Sequence, residues 1–340
     1  MVVTLTHYGY VKRLPKDTYR AQKRGGKGVV GATTREEDFV EQMYVTSTHD
    51  PLLFFTDRGR VYRLNCYEIP EAGRTARGTA IVNLLKLDGG EKVRAMLPMP
   101  RELEEGHYLV MATRRGLIKR TETTEFANLR STGLIAIVLR EDDDLIGVAL
   151  TDGRREVLLG TRDGMSIRLA ETDLRPIGRN AVGVRGIQLA EGDRVVAMSI
   201  VEEDTDVLAI TENGYGKRTA IEEYRLQSRA GKGIKAMNLT DKTGGLAGQL
   251  LVRSDEDILI ITDDGTIIRM AVSDIRESGR NTQGVRLMRL SEGAKIVAVA
   301  RAEQEEPEEA DEAAFEEAVA KMTDETETVV DGSDGGDEEI

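Results

Sequence analysis

Six times along this chain an apolar run leads into Thr, two residues, then Gly, with Arg four residues beyond that Gly. The threonines are Thr6, Thr56, Thr113, Thr161, Thr211 and Thr262, and the glycines are Gly9, Gly59, Gly116, Gly164, Gly214 and Gly265. The arginines are Arg13, Arg63, Arg120, Arg168, Arg218 and Arg269. Successive glycines lie 50, 57, 48, 50 and 51 residues apart. A period near 50 repeated this often marks a repeat architecture, in which each unit buries its apolar faces against its neighbours.

Each copy begins as a β-hairpin. Leu52-Leu53-Phe54-Phe55 and Ile258-Leu259-Ile260-Ile261 are continuous apolar runs of strand length. Asp57-Arg58-Gly59, Arg162-Asp163-Gly164 and Asp263-Asp264-Gly265 are turn triplets with Gly where positive φ is needed. The return strands alternate, as in Arg60-Val61-Tyr62-Arg63, so a period of two sets the face on which the Arg stands.

The second half of each copy has its own marker. Nineteen residues past the hairpin glycine stands another, Gly28, Gly78, Gly183, Gly233 or Gly284; in the third copy Gly133 follows after seventeen. Four residues earlier come Arg24, Arg74, Arg179, Arg229 and Arg280, whereas the third copy has Leu129 with Arg130 beside it. A further strand closes each copy, for example Val195-Val196-Ala197-Met198. About four strands per copy, six times over, predict an all-β, six-bladed ring of four-stranded sheets. The expected blades are 2–50, 51–106, 107–154, 155–204, 205–256 and 257–302.

The repeated Thr and hairpin Gly read as turn formers. The Arg positions do not read as packing, because blades need apolar sheet contacts and no cation at a fixed place. Rotation about the blade axis then makes them a recurring basic rim: Arg13, Arg63, Arg74, Arg120, Arg130, Arg168, Arg179, Arg218, Arg229, Arg269 and Arg280, joined by Lys12, Arg77, Lys119, Lys217 and Lys232. The net charge of −13 hides this, since 17 of the 60 acidic residues fall in 303–340 against a single Lys. The tail carries about −16 and the repeats about +3, so an acidic total does not exclude a polyanion partner. The tail shows a short amphipathic pattern of Ala310, Ala314, Ala318 and Met322, then an acidic stretch expected to be mostly disordered and able either to compete for the rim or only to solubilise.

A lone Cys66 excludes a disulfide framework or a cysteine-rich metal site and suits a reducing compartment. The N-terminus shows no signal-peptide pattern and no apolar run reaches membrane length, so a soluble intracellular chain without a membrane partner is expected. His7, His49 and His107 are isolated, and Asp142-Asp143-Asp144 lacks the rest of a cation-loop spacing, so no metal is expected.

In the first copy the second-half marker is enlarged to Gln22, Lys23, Arg24, Gly25, Gly26, Lys27 and Gly28. Taken alone this is an anion-gripping loop or a solvated basic turn. With Gly9-Tyr10-Val11-Lys12, Arg58-Gly59-Arg60-Val61-Tyr62 and Gly279-Arg280-Asn281-Thr282-Gln283-Gly284-Val285 around it, it resembles the basic box of the gyrase-A C-terminal domain, a part of bacterial DNA gyrase. The resemblance runs from residue 2 to about 302. The related polypeptide of topoisomerase IV has similar blades without an intact box.

That resemblance implies a β-pinwheel whose neighbouring blades exchange strands. It implies binding, bending and right-handed, positive wrapping of duplex DNA without sequence preference, with the box residues 22–28 fastening the wrap. It further implies a bacterial cytoplasmic, nucleoid-associated setting and a fragment that is monomeric by itself. Partners would be the rest of the gyrase-A polypeptide and the gyrase-B polypeptide, two of each in the complete ATP-dependent topoisomerase. No cofactor belongs to this part; ATP and Mg2+ act only in that complete enzyme. Breakage and its tyrosine are expected elsewhere, leaving this part non-catalytic. The rival readings are a propeller scaffold for proteins, which the absence of Trp and of a recurring Gly-Gly disfavours, and a propeller enzyme, for which no convergent acids or histidines recur.

Overall fold

The computed structural model describes residues 1–15, 40–73, 76–99, 106–129, 132–264 and 266–303. The box (Gln22, Lys23, Arg24, Gly25, Gly26, Lys27 and Gly28), Arg74, Arg130 and the acidic tail lie outside the described residues.

Six antiparallel sheets follow one another, one per repeat. In the second, Pro51–Thr56 pairs on one side with Arg60–Asn65 across the hairpin and on the other with Val93–Pro98. Its fourth strand comes from the next repeat: Leu134–Ile135 pairs with Arg60–Asn65 through Leu134 opposite Val61. The same exchange adds Thr79–Ala80 to the first sheet, Val184–Arg185 to the third, Ile234–Lys235 to the fourth and Val285–Arg286 to the fifth. The sixth holds Ile267–Ala271, Glu256–Thr262 and Ile296–Glu303 among the described residues. The six-bladed, strand-exchanging architecture is thus present.

The Thr-x-x-Gly repeat closes the hairpins. Thr56, Thr113, Thr161 and Thr211 each accept, at the side-chain oxygen, the amide four residues on at 3.2–3.3 Å. Their carbonyls accept the hairpin glycine amide at 3.0–3.1 Å. Gly59, Gly116, Gly164 and Gly214 have φ of +72 to +84°, which a side chain would strain. The second glycine also has positive φ, +99° at Gly183 and +76° at Gly233, and it has a further reason. A Cβ on Gly233 would meet the Ser166 carbonyl oxygen at 2.5 Å, and one on Gly183 the Ile118 oxygen at 2.8 Å. Only Gly lets the exchanged strand come that close to the preceding blade.

The apolar runs are continuous because both faces of each first strand are covered. Phe54 and Leu52 pack towards the first sheet with Val3, Leu5 and Val11, while Leu53 and Phe55 pack towards the third with Leu109 and Met111. Val110 then meets Val157 and Leu159, and Leu208 and Ile210 meet Ile258 and Ile260. Each such side chain contributes about 1.5–3 kcal/mol on burial, so the blades are joined chiefly by this layer.

Candidate nucleic-acid interface

The cations expected on one rim separate into an interior set and a surface set. Lys12, Lys119 and Lys217, three residues past their hairpin glycines, are 2, 1 and 0 % exposed. Lys119 Nζ donates to the carbonyls of Ala136 and Arg179 at 2.6 Å, and Lys217 Nζ to those of Gly279 and Arg280 at 2.7 and 2.6 Å. Lys12 donates to Ala76 at 2.9 Å. These ammonium groups are enclosed by backbone of the next repeat, joined for Lys119 by Ala136 of its own, which corrects their placement on the rim. Burial lowers all three pKa values below the ordinary lysine range, to about 8 for Lys119 and Lys217, leaving those two still mostly charged near pH 7.

Four of the six repeated arginines also stitch the fold. Arg13 Nε donates to the Ile69 carbonyl at 2.6 Å, Arg168 Nη1 to Ile221 at 3.0 Å and Tyr224 at 3.2 Å, and Arg218 Nε to Ile275 at 2.8 Å. Ile69, Tyr224 and Ile275 occupy one position of the repeat, just past the short 3-10 turn that follows the return strand. Each guanidinium also faces a carboxylate: Glu71 at 3.3 Å, Glu156 at 2.5 Å and Asp206 at 3.2 Å. Arg120 is 8 % exposed, lies over the Tyr108 ring and donates to the Gly153 carbonyl. The rim reading of Arg13, Arg120, Arg168 and Arg218 therefore gives way to a structural one: Arg13, Arg168 and Arg218 satisfy carbonyls left at the end of a 3-10 turn in the next repeat, and Arg120 is held within its own repeat by Tyr108 and Gly153. Arg63 is exposed beside Asn65, and Arg269 is bonded to Asp257 at 2.7 Å.

The surface set belongs to the loops that lead into the exchanged strands. Arg229 and Lys232 are exposed, and Arg77 covers the Tyr10 ring with its guanidinium 3.6 Å from the ring centre. Arg179 and Arg280 are half-buried, each 3.7 Å from a glutamate, Glu125 and Glu223 respectively. These loops are bonded to one another. Val138 N donates to Ala181 O, Ala230 N to Gly186 O, Gln188 N to Gly231 O and Asn238 N to Thr282 O, at 2.7–3.2 Å. Arg280 Nη1 reaches the Lys235 carbonyl at 3.0 Å. Four consecutive loops therefore form one hydrogen-bonded belt.

The belt carries cations not foreseen from the sequence. Arg185, Lys235 and Arg286 are exposed at the second residue of their exchanged strands, two positions past Gly183, Gly233 and Gly284. Comparing the copies at that offset would have found them. The fifth copy's Gln227-Ser228-Arg229-Ala230-Gly231-Lys232-Gly233 also shares five of seven residues with 22–28, and Ala230, at φ +66°, stands where the first copy has Gly25. A strip of Arg and Lys on a fixed backbone, with few aromatic rings and no helix to enter a groove among the described residues, is chemically suited to phosphates and not to base edges.

Comparison with known proteins agrees with this architecture. The family described as "DNA gyrase C-terminal domain, beta-propeller" matches residues 1–47, 50–98, 107–152, 155–202, 205–248 and 256–303, one segment per blade. The gyrase-A polypeptide of Halalkalibacterium halodurans is 57 % identical over 317 residues, which is 93 % of this chain and 38 % of that protein. Its counterpart from Clostridium acetobutylicum is 48 % identical over 91 % of this chain and 37 % of its own length. The chain thus spans under two fifths of these relatives. Among solved structures, the C-terminal domain of DNA topoisomerase IV superposes with a TM-score of 0.79 at 28 % identity, over 93 % of this chain and 97 % of that one. The DNA gyrase A C-terminal domain gives 0.71 at 27 %, over 88 % and 99 %.

Proposed function

The chain belongs to the DNA gyrase C-terminal domain family of β-propellers, and from that membership we propose that it binds, bends and wraps duplex DNA through the phosphate backbone. The observation that carries this reading is the hydrogen-bonded belt of exchange loops presenting Arg185, Arg229, Lys232, Lys235 and Arg286 to solvent. A connected series of cations spread over several blades suits an extended polyanion better than a small ligand.

The energetics set what the belt has to do. Bending 20–30 base pairs by 40–90° costs about 1–6 kcal/mol, and the cost accumulates around a wrap. Phosphate contacts that release counterions offset it, and contacts spread over several blades supply it gradually. The wrap is right-handed, with positive crossing, and the box residues 22–28 fasten its end while residues 227–233 grip it further along. That bias would let the complete enzyme introduce negative supercoils.

In this reading the chain is the non-catalytic part of a bacterial topoisomerase polypeptide. Strand breakage and ATP hydrolysis belong to the remainder of that polypeptide and to its gyrase-B partner, acting on DNA in the cytoplasm. The acidic tail, 303–340, tunes the wrap by competing for the same cations.

The test is binding to long duplex DNA across a salt series. Affinity that falls steeply and linearly on a log-log plot, independent of sequence, supports the reading. Affinity indifferent to salt would favour a protein-binding scaffold instead.

A further inference from the structure

The loops of the belt fall into two alternating classes, and the residue that sorts them is buried. Three positions past the hairpin glycine, the third and fifth blades have Lys119 and Lys217, while the fourth has Ile167 and the second Tyr62. Where the lysine is present, its ammonium lies beneath the loop entering that blade. It is bonded to the carbonyls of Arg179 and Ala181 in one case and of Gly279 and Arg280 in the other. The surface arginine of each such loop is then also held, by Glu125 or Glu223. Over Ile167 the corresponding loop has no such cation beneath it, and the Arg229 side chain is exposed without a hydrogen bond or ion pair among the described residues.

We propose that Lys119 and Lys217 are positioning residues for DNA: they fix alternate loops of the belt so that Arg179 and Arg280 meet phosphates in a preset geometry, while the Arg229 loop between them, held by backbone bonds alone among the described residues, leaves its guanidinium free to adapt. This rests on the phosphate-binding function proposed above. A lysine is suited to the task because three donors on one nitrogen can bind carbonyls that diverge from the loop, which neither Ile nor Tyr can do. Alternation has a mechanical use. Contacts that were all rigid would demand one exact DNA curvature; free guanidinium side chains between fixed ones accept phosphates whose spacing varies with sequence.

Each buried ammonium is faced by one glutamate and one arginine, Glu125 and Arg179 around Lys119 and Glu223 and Arg280 around Lys217. The glutamate therefore draws in both cations. Removing the lysine frees the carbonyls and releases the arginine's backbone while leaving the guanidinium on the surface.

The test is a double-substitution cycle in the whole chain, with long linear duplex DNA as the probe. In otherwise native protein, Arg280→Ala is expected to reduce the slope of log affinity against log salt by about 0.9, the loss of one phosphate contact. In a Lys217→Met background the same change should reduce it by less than half as much, while Arg229→Ala keeps its full effect. Amide exchange at 279–283 should accelerate at least tenfold in Lys217→Met without DNA. If Lys217→Met does not fold, Lys217→Gln, which keeps a neutral donor, is used for the same cycle. Full, additive effects of Arg280→Ala in either background would overturn the proposal and reduce Lys217 to a packing residue. If neither Arg280→Ala nor Arg229→Ala changes binding in native protein, the phosphate-binding function itself fails, a result distinct from additivity.

Discussion

Arg218 Nε donates at 2.8 Å to the carbonyl of Ile275, so a residue of the fifth repeat is tied to the turn of the sixth. Its other end faces Asp206 at 3.2 Å, and only 14 % of the side chain is exposed. The guanidinium is thus fully employed inside the fold. Arg218→Ala is expected to lower unfolding free energy by about 1.5–3 kcal/mol, the range for hydrogen bonds to a charged group. Denaturant unfolding measures this, and the salt slope of DNA binding should not change in the variant that remains folded.

The exposed loop cations should behave in the opposite way. Replacing Arg229 and Lys232 together by Ala removes two surface charges that hold no bond among the described residues. The salt slope should fall by about 1.8 while stability stays within about 0.5 kcal/mol of the native chain. A large stability loss with an unchanged slope would reverse their assignment with that of Arg218.

Two backbone substitutions test the strand exchange. Gly233 has φ +76° and no space for a Cβ beside the Ser166 carbonyl. Gly233→Ala should cost about 2–4 kcal/mol, combining left-handed strain with a backbone clash. Ala230 has φ +66° and already bears that strain, so Ala230→Gly is expected to stabilise by up to about 1 kcal/mol. Thermal melts of the two variants should therefore move in opposite directions.

Stability should depend on alkaline pH through the interior lysines. Burial sets Lys119 and Lys217 at about 8 in the folded chain, whereas an unfolded lysine titrates near about 10.4. Between these values the unfolded chain holds more protons, so unfolding free energy rises with pH from about 8 towards 10. Above about 10 the buried hydroxyls of Tyr62 and Tyr224, pushed up by burial, act the other way, because the unfolded tyrosines ionise first. Denaturant midpoints from pH 7.5 to 9.5 should rise in the native chain and rise less in Lys217→Met.

The division between interior and surface cations explains what could be read in advance. Blade number and hairpins follow from Thr-x-x-Gly, because an ST-type turn and a positive-φ glycine are local demands that any copy must meet. Strand exchange left only a glycine as its local trace: Gly183 and Gly233 combine a positive φ with a carbonyl of the preceding blade too close for a Cβ, and the second demand has no local signature. Periodicity placed Arg168 and Arg218 on a face but could not say that the face is covered by the next repeat's 3-10 turn. A cation repeated at a fixed position was therefore equally compatible with a rim and with a carbonyl stitch. Arg185, Lys235 and Arg286 share one offset past the second glycine and were legible from that comparison of the copies, while their exposure became evident only with the exchanged strands.

Central to the function proposed for this chain is a handed path imposed on DNA. The direct measurement is to relax nicked-and-sealed or topoisomerase-relaxed circular DNA in its presence, remove the protein and resolve the linking numbers. Trapped positive writhe, lost when Lys23, Arg24 and Lys27 are replaced by Ala although most binding persists, is the predicted result. A relaxed distribution identical to that of protein-free DNA under conditions where the circle is bound would contradict it.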